Sequence, residues 1–357
     1  MNPQDLEVPN CEAKPAPPDD RSPTGEDRQR RPAAWLRWAQ LVRLPAVFSV
    51  IAQVIAASLI AAGGPSETLA AWPRLLLILL SAVAIYWSGM ILNDLWDLDE
   101  DSRERPSRPL PSGWIGLPQA RAAAWGLCGL SIVAAVASGM VAVNNRPTTF
   151  APALVASALA VAVVLYNGPL KPTVLAAPMM GVCRALCFLL GAAPLVTLGA
   201  AELLTPQVAF DTHLLAIAAG FGLYITGITT ISRLETGTKA NGLQRDLNVG
   251  LTLALIGAGV LAFAPQVSPP DYVWLFRPDL RYAMLVGLIT LPILLRGLKV
   301  NADPRPAAIQ SLIRVGILNL IPYSAALTLL IAGPAWAFGV FALTVAALLT
   351  AIRLRVT

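Results

Sequence analysis

The chain has 357 residues, of which 56% are hydrophobic and 13% are charged, and its formal net charge is +5. Soluble domains carry about 25% charged residues, so this chain lacks the polar surface that a water-soluble protein of its length needs. The single histidine and the four dispersed cysteines argue against a histidine-rich metal centre and a disulfide framework. We expect an integral membrane protein with no nucleic-acid partner.

The first 34 residues form a segment rich in Pro, Asp, Glu and Arg, with almost no large apolar side chain. Such a composition cannot bury enough apolar surface to fold, which predicts a disordered tail. No short apolar run with a cleavage site follows it, so the segment does not resemble a secretory signal peptide. Residues 35–357 are predicted to form one transmembrane domain whose first helix stays in the membrane.

The rest of the chain contains ten apolar segments, separated by Gly, Pro, Asn and charged residues. A helix needs about 20 apolar residues to cross the hydrocarbon core. The segments are 41–62, 73–93, 118–143, 149–166, 173–198, 212–232, 247–265, 280–299, 308–331 and 334–353. Only Gly333-Pro334 separates the last two, which could be two spans or one span with an oblique helix. The predicted fold is an all-α transmembrane bundle of nine or ten spans, with a central polar cavity open to the cytoplasmic side.

The distribution of positive charge predicts the orientation of these spans. With a cytoplasmic N-terminal tail and ten alternating spans, 21 of the 26 Lys and Arg residues fall on the cytoplasmic side. Four fall on the opposite side, and Arg184 lies within a span. Cytoplasmic loops of membrane proteins carry an excess of Lys and Arg. We therefore expect a multi-pass protein of a bacterial cell membrane with its N terminus in the cytoplasm.

The second apolar segment ends in a series of acidic residues. Asn93, Asp94, Asp97 and Asp101 fall within an arc of roughly 100° on a helix, and Asp99 points away from it. Carboxylates this close repel one another unless a cation lies between them. Mg²⁺ is usually held by one or two carboxylates and completes its shell with water and phosphate oxygens. The pattern predicts a Mg²⁺-diphosphate site in which Asp94, Asp97 and Asp101 are the metal ligands.

A basic turn follows the acidic face. Arg103, Arg105 and Arg108 lead into the segment RPLPSG, whose Pro and Gly residues predict a tight turn. Arginine side chains bind phosphate oxygens as two-pronged donors. A solvated acidic helix end would account for the carboxylates alone but not for this basic turn beside them.

The motif NDxxDxxxD followed by RPLPSG resembles the UbiA-type intramembrane prenyltransferases. Further similarity lies in LVRLP at 41–45, YNGPLK at 166–171 and the arginine-bearing segment at 181–191, and the whole resemblance covers about residues 41–250. It implies a helical membrane enzyme that uses Mg²⁺ to ionise an isoprenyl diphosphate. The isoprenyl group would pass to a hydrophobic acceptor, aromatic or lipid, which the sequence does not identify.

The resemblance and the residue pattern together define the candidate site. The predicted catalytic residues are Asp94, Asp97, Asp101, Arg108 and Lys171. The predicted substrate-binding residues are Asn93, Arg105, Arg184, Arg233 and Glu235. Arg184 is the most costly of these, since a charge within the bilayer must face a polar cavity or a partner. Gln53, Asn319 and Tyr323 could line the same cavity or form hydrogen bonds between helices.

The sequence departs from the family at the end of the sixth span. The family has a second aspartate motif there, but residues 224–246 contain only two acidic residues and no aspartate pair. This resembles a divergent branch of the family, the EboC-like proteins. Glu235 could complete a weaker second metal site, or one metal could bind at the first motif alone. Arg233, Lys239 and Arg245 could replace metal charge or simply reflect the orientation of the chain in the membrane.

Two functions remain open at this point. The intact first motif favours a Mg²⁺-dependent prenyltransferase. The degenerate second motif favours a non-catalytic carrier or transport protein, on the same fold, for an isoprenoid or a precursor metabolite.

Overall fold

The computed structural model describes residues 33–143, 146–197, 210–233 and 243–354. Most of the predicted N-terminal tail therefore lies outside the described residues. Within them the chain forms these α-helices: α1 Ala34–Leu41, α2 Leu44–Ala62, α3 Pro65–Ala70, α4 Trp72–Trp96, α5 Leu98–Glu104, α6 Leu117–Met140, α7 Ala151–Asn167, α8 Ala176–Ala192, α9 Thr212–Ser232, α10 Leu243–Phe263, α11 Leu280–Ala302, α12 Pro306–Leu318, α13 Leu320–Ala332 and α14 Pro334–Leu354.

Nine helical stretches of the described ranges are long and apolar enough to cross a membrane. One of them, Pro306–Ala332, consists of α12 and α13 and is interrupted at Asn319. Helix α7 is apolar but has only 17 residues, or about 26 Å, against a hydrocarbon core of about 30 Å. The predicted all-α bundle of nine or ten spans is confirmed. The number of spans is nine or ten depending on whether the short helix α7 crosses the membrane. The two helices on either side of Gly333 are both long enough to count as spans.

Most long helices pack against their neighbours in the sequence. The last two helices also pack against the first long one, α2. Helices α13 and α14 both pack against α2, which also packs against α8. Two large buried cores result, one from the N-terminal helices and one from the C-terminal helices. Helices α2 and α8 contribute to both cores, so they form the central pair of the bundle.

The central pair approaches closely at Gly191. A Cβ atom on Gly191 would lie 2.8 Å from the Cα and the carbonyl oxygen of Val54, which is too short for any side chain. The Ser58 hydroxyl donates to the Gly191 carbonyl oxygen at 2.7 Å. Small residues and interhelical hydrogen bonds are the usual means by which helices associate in a membrane, where lipid supplies no hydrophobic drive.

Helix α1, near the start of the described chain, contacts the end of α14 and the segment that follows residue 113. The Gln40 side chain donates to the Leu354 carbonyl oxygen at 3.2 Å, at the end of α14. Arg37 donates to the Trp114 carbonyl oxygen at 3.0 Å, and Trp35 is 67% exposed. These contacts hold α1 across the end of the bundle that carries residues 93–113, which we call the acidic end.

A buried arginine holds the opposite end together. Arg74, at the start of α4, is 2% exposed, and its burial was not predicted from the sequence. Its guanidinium donates to the carbonyl oxygens of Val141, Pro194 and Pro147 at 2.9, 2.9 and 2.8 Å, and more weakly to that of Arg146 at 3.4 Å. Val141 follows α6, Pro147 precedes α7 and Pro194 follows α8. One side chain therefore joins the ends of four helices.

We expect Arg74→Gln to destabilise the protein strongly. The substitution leaves several buried carbonyl groups without a donor, at about 1–3 kcal/mol for each group. A total loss of roughly 3 kcal/mol should lower the thermal unfolding temperature by several degrees. The matched control is Arg277→Gln at an exposed position, measured by thermal unfolding in the same detergent. Equal shifts for the two variants would contradict the structural role of Arg74.

Candidate active site

The acidic motif spans a break between two helices. Helix α4 ends at Trp96, Asp97 occupies the junction with φ −87° and ψ 5°, and α5 begins at Leu98. Backbone hydrogen bonds still cross the break, from Asp97 N to Asn93 O at 3.0 Å and from Asp101 N to Asp97 O at 2.8 Å. The motif thus keeps an approximately helical course while its middle carboxylate sits at a bend.

Asp94 is buried and paired with an arginine that the sequence analysis did not assign to the site. Its residue exposure is 6%, and its Oδ1 accepts from Arg43 Nη2 at 3.2 Å. Arg43 lies between α1 and α2 with φ 48°, a left-handed conformation that is costly for a residue with a Cβ. Burial disfavours the Arg43 charge, but interactions with the Asp94 carboxylate and with the hydroxyl groups of Tyr86 and Tyr166 together outweigh this cost and raise the pKa of Arg43. The segment LVRLP was the only sequence signal for this role.

Asp101 is also buried, at 3% exposure, and it contacts the basic turn. Arg108 Nη1 lies 2.5 Å from Asp101 Oδ2 and 3.9 Å from Asp94 Oδ1. Arg105 Nη1 lies 3.9 Å from Asp101 Oδ1. The RPLPSG turn therefore places Arg108 between the first and third aspartates. Asp99 is exposed and lies outside these contacts.

Asp97 is paired with a lysine from another loop. Lys171 Nζ lies 2.5 Å from the Asp97 carboxylate and donates to Asn93 Oδ1 at 2.9 Å. Asn93 Nδ2 donates to Asp97 Oδ2 at 3.2 Å, which closes a three-residue cluster. The two sides of this cluster are more than 70 residues apart in the sequence. The predicted catalytic role of Lys171 stays a prediction.

Tight packing between α4 and α7 sets the position of the lysine loop. The buried Asn167, at the end of α7, donates to the carbonyl oxygens of Val163 at 2.9 Å and Gly89 at 3.4 Å. At Gly168, a Cβ would lie 3.1 Å from the Trp96 ring, so a larger residue would push the loop away. Lys171, which donates to Asn93, lies three residues beyond Gly168 in this loop.

The side-chain oxygens of this site fit a Mg²⁺ ion that also binds phosphate. Carboxylate and amide oxygens are suitable ligands, but the described residues contain no group of three or more His, Cys, Asp or Glu side chains that could hold a metal alone. Asp94 and Asp101 share Arg108, and Asp97 belongs to the Lys171 cluster. This arrangement fits a metal held by one or two carboxylates, with phosphate oxygens completing the shell. The assignment of all three aspartates as metal ligands stays a prediction.

The site carries more positive than negative charge. Arg43, Arg105, Arg108 and Lys171 contact three carboxylates in the part of the chain that the structure describes. The cationic excess favours an anionic ligand with several oxygens. A cavity of about 380 Å³ is lined by four acidic side chains and one arginine, which are Asp97, Asp99, Glu100, Glu104 and Arg103, together with Trp96. Such a lining repels a diphosphate, so the cationic side of the motif is the better binding surface.

Two further predicted site residues, Arg184 and Arg233, belong to helices other than α4 and α5. Arg184 is on α8 and donates to Ser49 Oγ at 2.5 Å, deeper in the bundle than Arg43. Arg233 is exposed where α9 ends. Glu235 and Lys239 lie outside the described residues. Their predicted roles in substrate binding stay predictions.

The polar residues of the ninth predicted span serve to join helices. Asn319 Nδ2 donates to the Ile289 carbonyl oxygen at 2.7 Å, and the Tyr323 hydroxyl lies 2.9 Å from Thr290 Oγ1. Both bonds connect the α12–α13 stretch to α11. Of the two roles that the sequence left open for these side chains, their described contacts match hydrogen bonding between helices.

Comparisons with known proteins concern the family and the fold of the chain. Residues 50–244 match the model of the UbiA prenyltransferase family. A curated relative, digeranylgeranylglyceryl phosphate synthase from Metallosphaera sedula, is 29% identical over 100 residues. That match covers 28% of this chain and 32% of the relative, so it spans only about a third of the relative's length.

Solved structures share the fold at low sequence identity. The apo structure of a UbiA homologue from Aeropyrum pernix K1 matches with a TM-score of 0.55 and 15% identity, covering 79% of this chain and 96% of that one. A UbiA homologue from Archaeoglobus fulgidus, bound to GPP and Mg²⁺, matches with a TM-score of 0.51 and 16% identity, covering 86% and 99%. The likeness extends well beyond the residues matched by the family model.

We expect the Lys171–Asp97 pair to be energetically coupled. Both side chains are largely shielded from water, so their interaction should contribute about 1–3 kcal/mol in a double-mutant cycle of Lys171→Met and Asp97→Asn. The measurement is the free energy of unfolding in mixed micelles. The matched control is the exposed pair Arg305–Asp303, with Arg305→Met and Asp303→Asn, where the coupling should stay below about 1 kcal/mol. Equally small coupling for both pairs would mean that Lys171 does not hold Asp97 in solution.

Proposed function

The chain belongs to the UbiA prenyltransferase family, and from this premise we propose that it is a Mg²⁺-dependent membrane prenyltransferase. It would transfer an isoprenyl group from its diphosphate to a hydrophobic acceptor. The observation that carries the proposal is the cluster at the acidic end, where four cationic side chains surround the carboxylates of Asp94, Asp97 and Asp101. This combination of ligands suits a metal-bound diphosphate at the rim of an apolar bundle.

The cations of the site can pair with two kinds of anion, the carboxylates of the motif or the phosphate oxygens of the donor. In the structure, Arg108 and Lys171 neutralise the carboxylates of the motif. In a donor complex, the Asp94, Asp97 and Asp101 carboxylates would hold Mg²⁺, and Arg108 and Lys171 would exchange carboxylate oxygens for phosphate oxygens. Bound Mg²⁺ acts as a Lewis acid that draws negative charge from the leaving diphosphate. The released arginine and lysine would add positively charged hydrogen-bond donors to the same oxygens.

The reaction follows from this placement of charge. The bond between the isoprenyl carbon and the diphosphate oxygen breaks, and the electron pair leaves with the diphosphate. The acceptor attacks the resulting allylic cation, forms the new bond and loses a proton, so no covalent enzyme intermediate is needed. The apolar helices around the isoprenyl chain exclude water, which would otherwise capture the cation.

The orientation of the chain is part of the proposal. The excess of Lys and Arg in the loops at the acidic end supports a cytoplasmic position for that end and for the N terminus. The donor diphosphate would then reach Asp94 from the cytoplasm, while its hydrocarbon chain stays in the bilayer. We propose that the protein works as an integral protein of the cell membrane.

The missing aspartate pair supports a second candidate function. A carrier on the same fold would bind an isoprenyl diphosphate at the intact motif and release it unchanged. The EboC-like branch of the family, which lacks the pair in the same way, is the branch that we propose for this chain. Arg233 lies where the second motif is expected and would supply one positive charge in place of a metal.

We expect Mg²⁺-dependent release of diphosphate from a labelled isoprenyl diphosphate, when a lipid extract supplies acceptors. Asp94→Asn should lower the rate about 10²-fold or more, because it removes the charge of a buried carboxylate at the point of metal binding. Asp99→Asn is the matched control, since Asp99 is an exposed aspartate of the same segment and should keep near-normal activity. Equal loss in both variants would contradict the assigned face.

One measurement distinguishes a carrier from an enzyme, namely whether the bound donor is converted to product. Equilibrium binding of geranyl diphosphate is expected for both functions and should weaken in Lys171→Met. Only the enzyme converts the bound donor, so single-turnover experiments should yield free diphosphate and a prenylated lipid product. Tight binding with the donor recovered intact, over a panel of chain lengths and acceptors, would reject the enzyme in favour of the carrier.

A further inference from the structure

Positive charge is concentrated around α1 in residues that the proposed reaction does not use. Residues 28–42 contain four arginines and two tryptophans, with neither Asp nor Glu. The preceding 27 residues contain seven acidic residues and only two basic ones, so the charge of the chain changes sign at residue 28. Orientation in a membrane accounts for an excess of Lys and Arg on one side. It does not account for a basic segment that contains no acidic residue.

Helix α1 lies at the surface of the bundle where the chain enters the first span. It ends at Leu41, and the spanning helix α2 begins three residues later, at Leu44. Gln40 donates to the Leu354 carbonyl oxygen at 3.2 Å, so α1 lies level with the end of the last span, α14. Trp35, on α1, is 67% exposed. Because tryptophan is enriched at the level of lipid headgroups, these positions place α1 at a membrane surface.

Arg37 has no anionic partner on this surface. Its Nη1 donates to the Trp114 carbonyl oxygen at 3.0 Å, and its Nε is buried without a hydrogen-bond partner. No carboxylate of the described ranges pairs with it, whereas Arg43, six residues further on, is paired with Asp94. A guanidinium offers five N–H donors in a planar fork. Arg37 Nη2 is therefore available to an anion that the described chain does not supply.

The contact between α1 and α14 adds positive charge to the same surface. Leu354, which accepts from Gln40, follows the exposed Arg353 and precedes Arg355, which lies outside the described residues. The sequence contains no Asp or Glu after Asp303. Two parts of the chain that are basic and lack acidic residues therefore meet at one place.

We propose that α1 and the end of α14 form a binding surface for the headgroup of an anionic phospholipid. The lipid phosphate would accept from Arg37, and Trp35 would contact the glycerol and the upper part of the acyl chains. Four to eight Lys and Arg residues beside a spanning helix are typical of sites for anionic lipids, because each cation is attracted to the negative membrane surface. An acidic peptide would share the charge but would gain nothing from a tryptophan at headgroup level. The inference does not depend on the proposed reaction.

The test titrates the delipidated full-length protein, in dodecyl maltoside, with dioctanoylphosphatidylglycerol and dioctanoylphosphatidylcholine. The two lipids share their chains and differ in net charge, and native mass spectrometry counts the bound molecules. We expect the first phosphatidylglycerol to bind at least about tenfold more tightly than the first phosphatidylcholine. Equal affinity for the two lipids would overturn the inference.

Two charge-matched variants separate this surface from the general positive charge of its side. The first removes three charges next to α1 and leaves every contact of the described residues in place: Arg28→Gln, Arg30→Gln and Arg31→Gln. It should weaken phosphatidylglycerol binding about tenfold or more, because each cation near an anionic lipid surface contributes roughly fivefold in affinity. The second removes three charges from exposed positions of α11 and α12 and should leave binding unchanged: Arg296→Gln, Lys299→Gln and Arg314→Gln. Equal losses in the two variants would reject a site at α1.

Single changes test the two described side chains of α1. Arg37→Gln should lower the affinity for phosphatidylglycerol about fivefold and leave that for phosphatidylcholine unchanged. Trp35→Ala should weaken both lipids by a similar factor, because it removes an apolar contact rather than a charge. Full affinity in both variants would contradict the assignment to α1. The variant at residues 28–31 keeps the inference testable if Arg37→Gln does not fold.

Competition distinguishes the lipid from other anionic occupants. With saturating Mg²⁺ and geranyl S-thiolodiphosphate, the first phosphatidylglycerol should stay bound; its displacement would assign it to the diphosphate site and overturn the inference. Displacement by equimolar hexaglutamate would assign the surface to an acidic protein partner, with the same consequence. Failure of the thiolodiphosphate to bind would instead count against the proposed function, and the lipid measurements would stand on their own.

Discussion

Burial of charge in an apolar bundle is the constraint on which the acidic end of this protein depends. Asp94 and Asp101 are almost fully buried, and a buried carboxylate is tolerated only when it is paired and hydrogen-bonded. Their partners come from separate parts of the chain: Arg43 from the α1–α2 junction and Arg108 from the turn after α5. The need to pair these carboxylates therefore brings together segments that share no other chemistry.

The same pairing explains how one site can be stable both with and without its ligand. A row of aspartates would repel itself in the absence of a cation, and the arginines and the lysine remove that repulsion. In the proposed donor complex, the same side chains would bind phosphate oxygens, and the carboxylates would become available to a metal. An exchange of partners of this kind needs no large movement of the helices, because Arg108 already lies between Asp94 and Asp101.

Local pattern was enough to predict much of this arrangement. Hydropathy located the ten apolar segments because membrane crossing requires long uninterrupted runs. The helical period predicted one face for Asn93, Asp94, Asp97 and Asp101, and on it Asp94 and Asp101 share Arg108. Partners across the fold were harder to predict. The pairing of Arg43 with Asp94 joins residues 51 positions apart, and the burial of Arg74 depends on three chain segments that meet only in the folded bundle. Neither leaves a periodic signal, and Arg43 looked like one more charge in a positive loop.

The two ends of the bundle are joined by different kinds of bond, and this has a consequence for its response to solution conditions. Arg74 binds neutral carbonyl oxygens in a dry interior, where dissolved ions have little access. At the acidic end, Arg105 and Lys171 keep part of their surface in water, so ionic strength screens their attraction to the carboxylates. Salt should therefore loosen one end of the molecule while the other stays rigid. The electrolyte at a single membrane surface would therefore influence the stability of the acidic end alone.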